Sequence, residues 1–211
     1  MNPQQVSAED SRLISDRHEE ELIDLFASDG WSCFVDIGAH CGAWIKGLSG
    51  CYERAIAFEP HPGAFMRLSD NIERWGLDEY VMALKFAVCD SDDPSIPMQI
   101  YADACHSTIM PDHPMPETLP MSQNPETIYV EPIKLDTALH SIPDVDLIKI
   151  DTEGAELAVL AGAKYVIEKY NPLTVIECHS QEHYDILRDV MVKPRFFNYR
   201  NSSRYLIGRF H

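Results

Sequence analysis

The sequence predicts an α/β fold, a parallel sheet with helices over both faces. Three observations carry that expectation. Apolar runs of strand length alternate with stretches of helical period, short turns join them, and several of the runs end in an acid. The first junction is Phe34-Val35-Asp36-Ile37-Gly38-Ala39-His40-Cys41-Gly42. It reads as a buried strand breaking into a tight glycine turn that opens a helix, with glycine needed so that a ligand can approach the backbone. A second acid, Glu59, ends the next apolar run. Two acids at neighbouring strand ends, flanking a glycine turn, suit a nucleoside with a ribose diol.

Taken in order, residues 10–29 read as a helix with Ile14, His18, Leu22, Leu25 and Phe26 on one face, ended by Asp29-Gly30. Trp31 to Ile37 is the first strand, and a short helix follows the glycine turn to about Leu48. Arg54 to Glu59 is the second strand. Pro60, His61 and Pro62 start a helix with Phe65, Leu68, Ile72 and Trp75 inward, stopped by Gly76. Val81 to Val88 reads as a third strand and Ile96 to Tyr101 as a further short one. Met110 to Pro132 is rich in proline, which excludes a helix or a central strand, and such a loop is either a lid or a connector. Asp136 to His140 reads as a short helical piece. Val145 to Asp151 is the fourth strand, followed by a helix with Leu157, Leu160, Ala163 and Ile167 inward. Leu173 to Glu177 is the fifth strand and Gln181 to Val190 a helix. Phe196 to Tyr199 and Tyr205 to Phe210 form a closing hairpin.

The composition narrows the function classes. At 211 residues the chain fits one domain with a substantial core. No apolar run is long enough to span a bilayer, and the opening MNPQQVSAEDSR has no apolar signal region, so a cytoplasmic location is expected. The six cysteines form no CxxC pair and read as reduced thiols rather than a disulfide framework or metal site. A net charge of −17 argues against a nucleic-acid partner. Residues 191–211 depart from that balance, with Lys193, Arg195, Arg200, Arg204 and Arg209 and no acid. That stretch is either a solvated hairpin or a place for an anionic substrate.

Ligands of an open parallel sheet bind outside the carboxyl ends of its strands. The residues at those ends are Asp36, Glu59, Asp90, Asp151, Glu153, Glu177 and His179. The turn has neither a GxGxxG pattern nor a Lys-Ser/Thr pair, which counts against a dinucleotide fold and a phosphate-binding loop.

Four ordered blocks, VDIGAHCG, AFEP, LIKIDTEGAE and PLTVIECH, span about Phe34 to His179. In them the chain resembles the FkbM family of S-adenosylmethionine-dependent methyltransferases, and the IDTEGAE block with its preceding lysine is the specific signal. The resemblance implies a Rossmann-like three-layer sandwich, with a mostly parallel seven-stranded sheet and an antiparallel last strand. Residues 31–211 would be the methyltransferase domain and 1–30 an N-terminal helical extension. It also implies that Gly38, Ala39 and Gly42 admit the methionine part of the cofactor, with Asp36 beneath the turn, and that His40 and Asp151 are among the cofactor-binding residues. Glu59, next to Pro60, would take the ribose hydroxyls, and Ala87 and Val88 would lie near the adenine. His40 stands where the family often has Asn, and the match weakens beyond His179.

The expected activity is O-methylation of a hydroxyl on a small molecule or glycan. The protein aligns the acceptor oxygen with the methyl group, and a carboxylate or histidine takes the acceptor's proton. Asp151, at the end of the fourth strand close to the methyl group, is the first choice of base. His179 is the second, with an ordinary pKa of about 6.5. Lys149 shares a strand face with Asp151 and would hold it or orient the acceptor. Glu153 is either catalytic or a charge favouring its helix N-terminus. Glu177 reads as a buried carboxylate paired with Lys149, and His106 and His113 as loop residues. Asp151, Glu153 and His179 have the chemistry to bind a divalent cation, but carboxylate clusters form without one and no metal is assigned. Two other readings stand beside this one. An NAD-linked or nucleotide-sugar oxidoreductase would want a third glycine in the turn and a tyrosine three or four residues from a lysine, and neither Lys149 nor Lys164 has one. A non-catalytic module would bind the cofactor without turnover.

Overall fold

The computed structural model describes residues 17–27, 30–101, 107–110, 125–199 and 203–210, with 17–19, 196–199 and 203–204 as backbone. Among these, seven strands form the main sheet. They are β1 (Trp31–Ile37), β2 (Tyr52–Phe58), β3 (Val81–Leu84), β8 (Leu147–Ile150), β9 (Leu173–Cys178), β10 (Met191–Tyr199) and β11 (Ser203–Phe210). Their spatial order is β10-β11-β9-β8-β1-β2-β3. β1 lies beside the central β8 and pairs in parallel with β2 and β8, and β11 runs against both β9 and β10. The order reverses on either side of β1, which places a ligand crevice at the carboxyl ends of β1 and β8.

Strand alternation divides the core. Cys33, Val35 and Ile37 of β1 face Leu135 of α4 (Leu135–Ala138), Val159 of α5 (Glu156–Ala161), Val166 of α6 (Lys164–Tyr170) and Leu187 of α7 (Gln181–Val190). On the other side Phe34, Leu147 and Val175 pack with Trp44 and Ile45 of α2 (Ala43–Gly47) and Leu68 and Ile72 of α3 (Pro62–Arg74). The helix α1 (Arg17–Phe26) joins that second side through Leu22, Ile23 and Phe26. Leu25, expected inward, is 49% exposed, and Ile23 takes its place at 3%.

Three expectations change in detail. The third strand is broken: after β3 the chain turns at Lys85-Phe86, and β4 (Ala87–Val88) pairs with β7 (Pro132–Ile133) outside the main sheet. The proline-rich stretch contains a strand at its end. β6 (Glu126–Val130) pairs antiparallel with β5 (Ile96–Ile100), a peripheral ladder where proline is tolerated. Residues 111–124 lie outside the described residues. Finally, the helix after the fourth strand breaks at Gly162-Ala163, where a side chain at 162 would come within 2.7 Å of the Cys89 carbonyl oxygen. The break resets the helical phase, so Val159 and Val166 are buried while Leu157, Leu160 and Ile167 are only partly so.

Candidate active site at the carboxyl ends of the strands

Extending the pairing one residue past Ile37, Phe58, Ile150 and Ile176 gives Gly38, Glu59, Asp151 and Glu177, a single row across four parallel strands. Tyr205 continues it, since β11 pairs it with Glu177. Two residues back along the strands, on the same face, stand Asp36 and Lys149, which are register partners on β1 and β8.

The turn after β1 is held by backbone geometry. Gly38 and Gly42 have φ of 78° and 92°, and His40 between them has φ 51°, a conformation that costs a side-chain-bearing residue about 1 kcal/mol or more. The glycines answer first to the protein itself. A Cβ on Gly38 would lie 1.8 Å from the Asp151 carbonyl oxygen, and one on Gly42 would lie 2.9 Å from Leu68 Cδ1. Close packing against β8 and α3 thus requires them before any ligand does. Ala39 is buried beside them.

Glu59 closes the turn from the β2 side. His40 N–H donates to its Oε2 and His61 N–H to its Oε1, each at 2.8 Å. Burial raises its pKa from the ordinary 4.5 to about 7, against the pull of those two backbone donors. His61 itself caps α3, its Nδ1 accepting from Gly63 and Ala64 N–H at 3.1 Å. Pro60 links the two residues and is partly buried.

Asp36 is fully buried beneath the turn, and burial raises its pKa while Lys149 opposes the rise. Lys149 Nζ donates to the Gly38 carbonyl at 2.8 Å and lies 3.3 Å from both Asp36 Oδ1 and Asp151 Oδ2. One cation therefore ties the glycine turn, the buried acid below it and the acid at the end of β8.

Around His179 the charges are denser. Its Nδ1 is 2.8 Å from Glu156 Oε1, while its Nε2 lies 3.5 Å from Glu153 Oε2, 3.6 Å from Asp151 Oδ1 and 3.9 Å from Glu177 Oε1. Burial alone would lower the His179 pKa, but the Glu156 hydrogen bond and the surrounding carboxylates raise it to about 10. The ring is a cation at neutral pH in these surroundings, whereas the sequence suggested an ordinary value suited to accepting a proton. Burial likewise pushes Glu153 to about 8, opposed by His179 and reinforced by Asp151. Burial would also raise Glu156, but hydrogen bonds from His179 and His183 outweigh it and bring it to about 2. Glu177, expected beside Lys149, accepts from Tyr205 Oη at 2.6 Å.

The family profile described as Methyltransferase FkbM domain matches residues 36–200, most of the chain. The chain belongs to the FkbM methyltransferase family. Its match extends past His179, through α7 and all of β10. The hexuronic acid methyltransferase AglP of Haloferax volcanii is 23% identical over 94% of this chain and 80% of its own. The crystal structure of methyltransferase FkbM from Methylobacillus flagellatus KT superimposes with a TM-score of 0.54 at 18% identity, covering 84% of this chain and 43% of that one. The M. capricolum TrmK structure in complex with S-adenosyl-homocysteine gives a TM-score of 0.52 at 12% identity, covering 90% and 67%. The two structures share the fold.

Within this FkbM family member the remaining residues of interest fall in different places. Ala87 and Val88 are buried in the β4–β7 ladder beyond β3. His106 and His113 lie outside the described residues. Tyr165 and Lys169 do stand four apart, a spacing missed by looking only at Lys149 and Lys164. They occupy α6, which leads into the start of β9 at the opposite edge of the sheet, and Tyr165 is 49% exposed there. An oxidoreductase site is not built from that pair, and the FkbM membership displaces that reading. Four contributors were not foreseen. Glu156 and His183 form the buried support of His179, with His183 Nδ1 2.7 Å from Glu156 Oε2. Tyr205 supports Glu177, and Thr108 Oγ1 donates to the Glu153 carbonyl at 2.6 Å. A signal for Glu156 was present, as the second acid of IDTEGAE. None existed for Tyr205, which arrives through β11 pairing.

Proposed function

We propose that the protein is an S-adenosylmethionine-dependent O-methyltransferase acting on an oxygen of a small molecule or glycan. The observation that carries the donor is Glu59. Each of its oxygens accepts one backbone N–H, and a carboxylate offers about four acceptor positions, so a second one on each oxygen is suited to a ribose hydroxyl. The glycine turn beside it is already in its open, left-handed conformation and supplies backbone to the methionine part of the donor. S-adenosylmethionine, when bound, supplies a methyl group made electrophilic by its sulfonium. The TrmK complex with S-adenosyl-homocysteine, on the same fold, supports this choice of donor.

The chain's own residues then hold the acceptor and receive its proton. Asp151 is assigned that role from position, because it lies beside Gly38 in the same row, and Lys149 holds its Oδ2. Glu153 and His179 stand within 4 Å of each other on the outer side of Asp151 and orient the acceptor. Thr108 ties the start of the proline-rich segment to Glu153, which supports a part for that segment in shaping the acceptor pocket. The hexuronic acid relative supports a sugar acid as the acceptor class.

Calorimetry with S-adenosyl-homocysteine tests the donor half. Saturable binding is expected, and Glu59→Ala should remove it. An intact chain that shows no binding would sink the reading. Methyl transfer to uronic acids then separates an enzyme from a protein that only binds the cofactor.

A further inference from the structure

We propose that Asp151, Glu177 and His179 form a site for a divalent cation, of the kind that combines imidazole with carboxylates. Each of the three residues offers an atom within 4.8 Å of the other two. The separations from His179 Nε2 to Asp151 Oδ1 and Glu177 Oε1, 3.6 and 3.9 Å, exceed a hydrogen bond. They approach the edge of a coordination polyhedron, which is about 3.4 Å for tetrahedral bonds of about 2.1 Å. A small inward movement would seat the ion.

The support behind these atoms is what distinguishes the group from a chance cluster of acids. Every one of the three has one atom held by a different outer partner and another turned toward the shared centre. Glu156, fully buried, fixes His179 through Nδ1 and directs Nε2 inward. Tyr205 Oη holds Glu177 Oε2, leaving Oε1 on the inner side. Lys149 Nζ holds Asp151 Oδ2, leaving Oδ1 there. A ligating imidazole whose other nitrogen meets a carboxylate, beside ligating carboxylates that are themselves hydrogen-bonded, is the arrangement that orients ligands around a metal. Glu156 is in turn anchored by His183 and by Gly154 N–H at 2.9 Å.

Binding exchanges a proton for the ion. The surrounding carboxylates hold His179 in its cationic form, and a dication arriving at Nε2 takes that proton's place between Asp151 Oδ1 and Glu177 Oε1. It keeps open positions for an oxygen of the acceptor. This last role rests on the methyltransferase reading, whereas the binding itself does not. One imidazole with two carboxylates suits Mn²⁺ or Zn²⁺ better than Ca²⁺, which favours all-oxygen surroundings.

The test is a titration of the full chain with Mn²⁺ alone, read by electron paramagnetic resonance, with neither methyl donor nor acceptor present. One bound ion per chain is expected. His179→Gln and Glu177→Gln should each weaken binding by at least about a hundredfold and Tyr205→Phe by about tenfold, in variants whose circular dichroism matches the parent. Asp185→Asn, on the surface of α7, should change nothing. Absence of saturable binding of Mn²⁺ and of Zn²⁺, or binding that both ligand substitutions leave unmoved, overturns the proposal. Because S-adenosyl-homocysteine binding is measured separately, that failure would leave the donor assignment standing.

Discussion

Two ends of one sheet edge do different work by different means. At β1 and β2 the site is mostly backbone, a left-handed turn packed against neighbours, with a single acid held by two N–H groups. At β8 and β9 it is mostly side chain, with four carboxylates around one imidazole. The first draws on a short span of chain, residues 34–61, closed by packing against Asp151 and Leu68. The second is assembled from β8, its following turn, β9, α7 and β11, and depends on each partner being present. Under the proposed function the donor meets the first end and the acceptor the second.

Lys149 is where the two ends meet, and removing it should have the largest effect. Lys149→Met leaves Asp36 buried without its cation and should cost about 3–5 kcal/mol of stability, read as a lowered denaturation midpoint. Asn at position 36 in the same background should recover much of that loss. If the single variant is as stable as the parent, the two ends are not joined through this residue.

Asp151→Asn should then separate the ends. Methyl transfer should fall by about 10²–10⁴-fold, while S-adenosyl-homocysteine binds within a few-fold of the parent. Equal losses in both would place Asp151 in the donor site instead.

A smaller effect comes from the Glu59 carboxyl. A ribose diol wants it ionised, so S-adenosyl-homocysteine should bind more tightly as pH rises through about 7. Stability carries the opposite sign. The folded carboxyl holds its proton up to about 7 and the unfolded one only to its ordinary 4.5, so the folded state of the unliganded chain loses stability as pH climbs between those values. Glu59→Gln should flatten both profiles. The smallest change is Thr108→Val, which removes a hydrogen bond to Glu153 and should cost about 1 kcal/mol in thermal unfolding.

The same contrast explains what could be read from residues alone. β1, β2, β8 and β9 are mostly apolar and mostly buried runs, and their order in the chain marks them as strands of a covered sheet. β6 was obscured because prolines surround it and its faces are half exposed, so it lacks the alternation that marks a strand. The glycine turn lies in one block from Phe34 to Gly42, which makes it visible as a pattern. His179 was visible as a position, but its charge is set by Glu156, Glu153, Asp151 and Glu177, and those distances exist only after folding. Glu177 was paired with Lys149 from its strand position, and Tyr205 could not be anticipated before β11 was known to lie beside β9.

The Lys149 contact with the Gly38 carbonyl spans 111 residues of chain. Read in time rather than in space, it means that the glycine turn is written early and finished late. During synthesis the chain has made Phe34 to Glu59 long before it reaches β8, and until then Asp36 has no lysine and Gly38 no strand to pack against. Contacts of such separation form slowly because a long loop must close first. A nascent or truncated chain ending before Lys149 would carry the whole glycine motif and still lack the contacts that hold it in place.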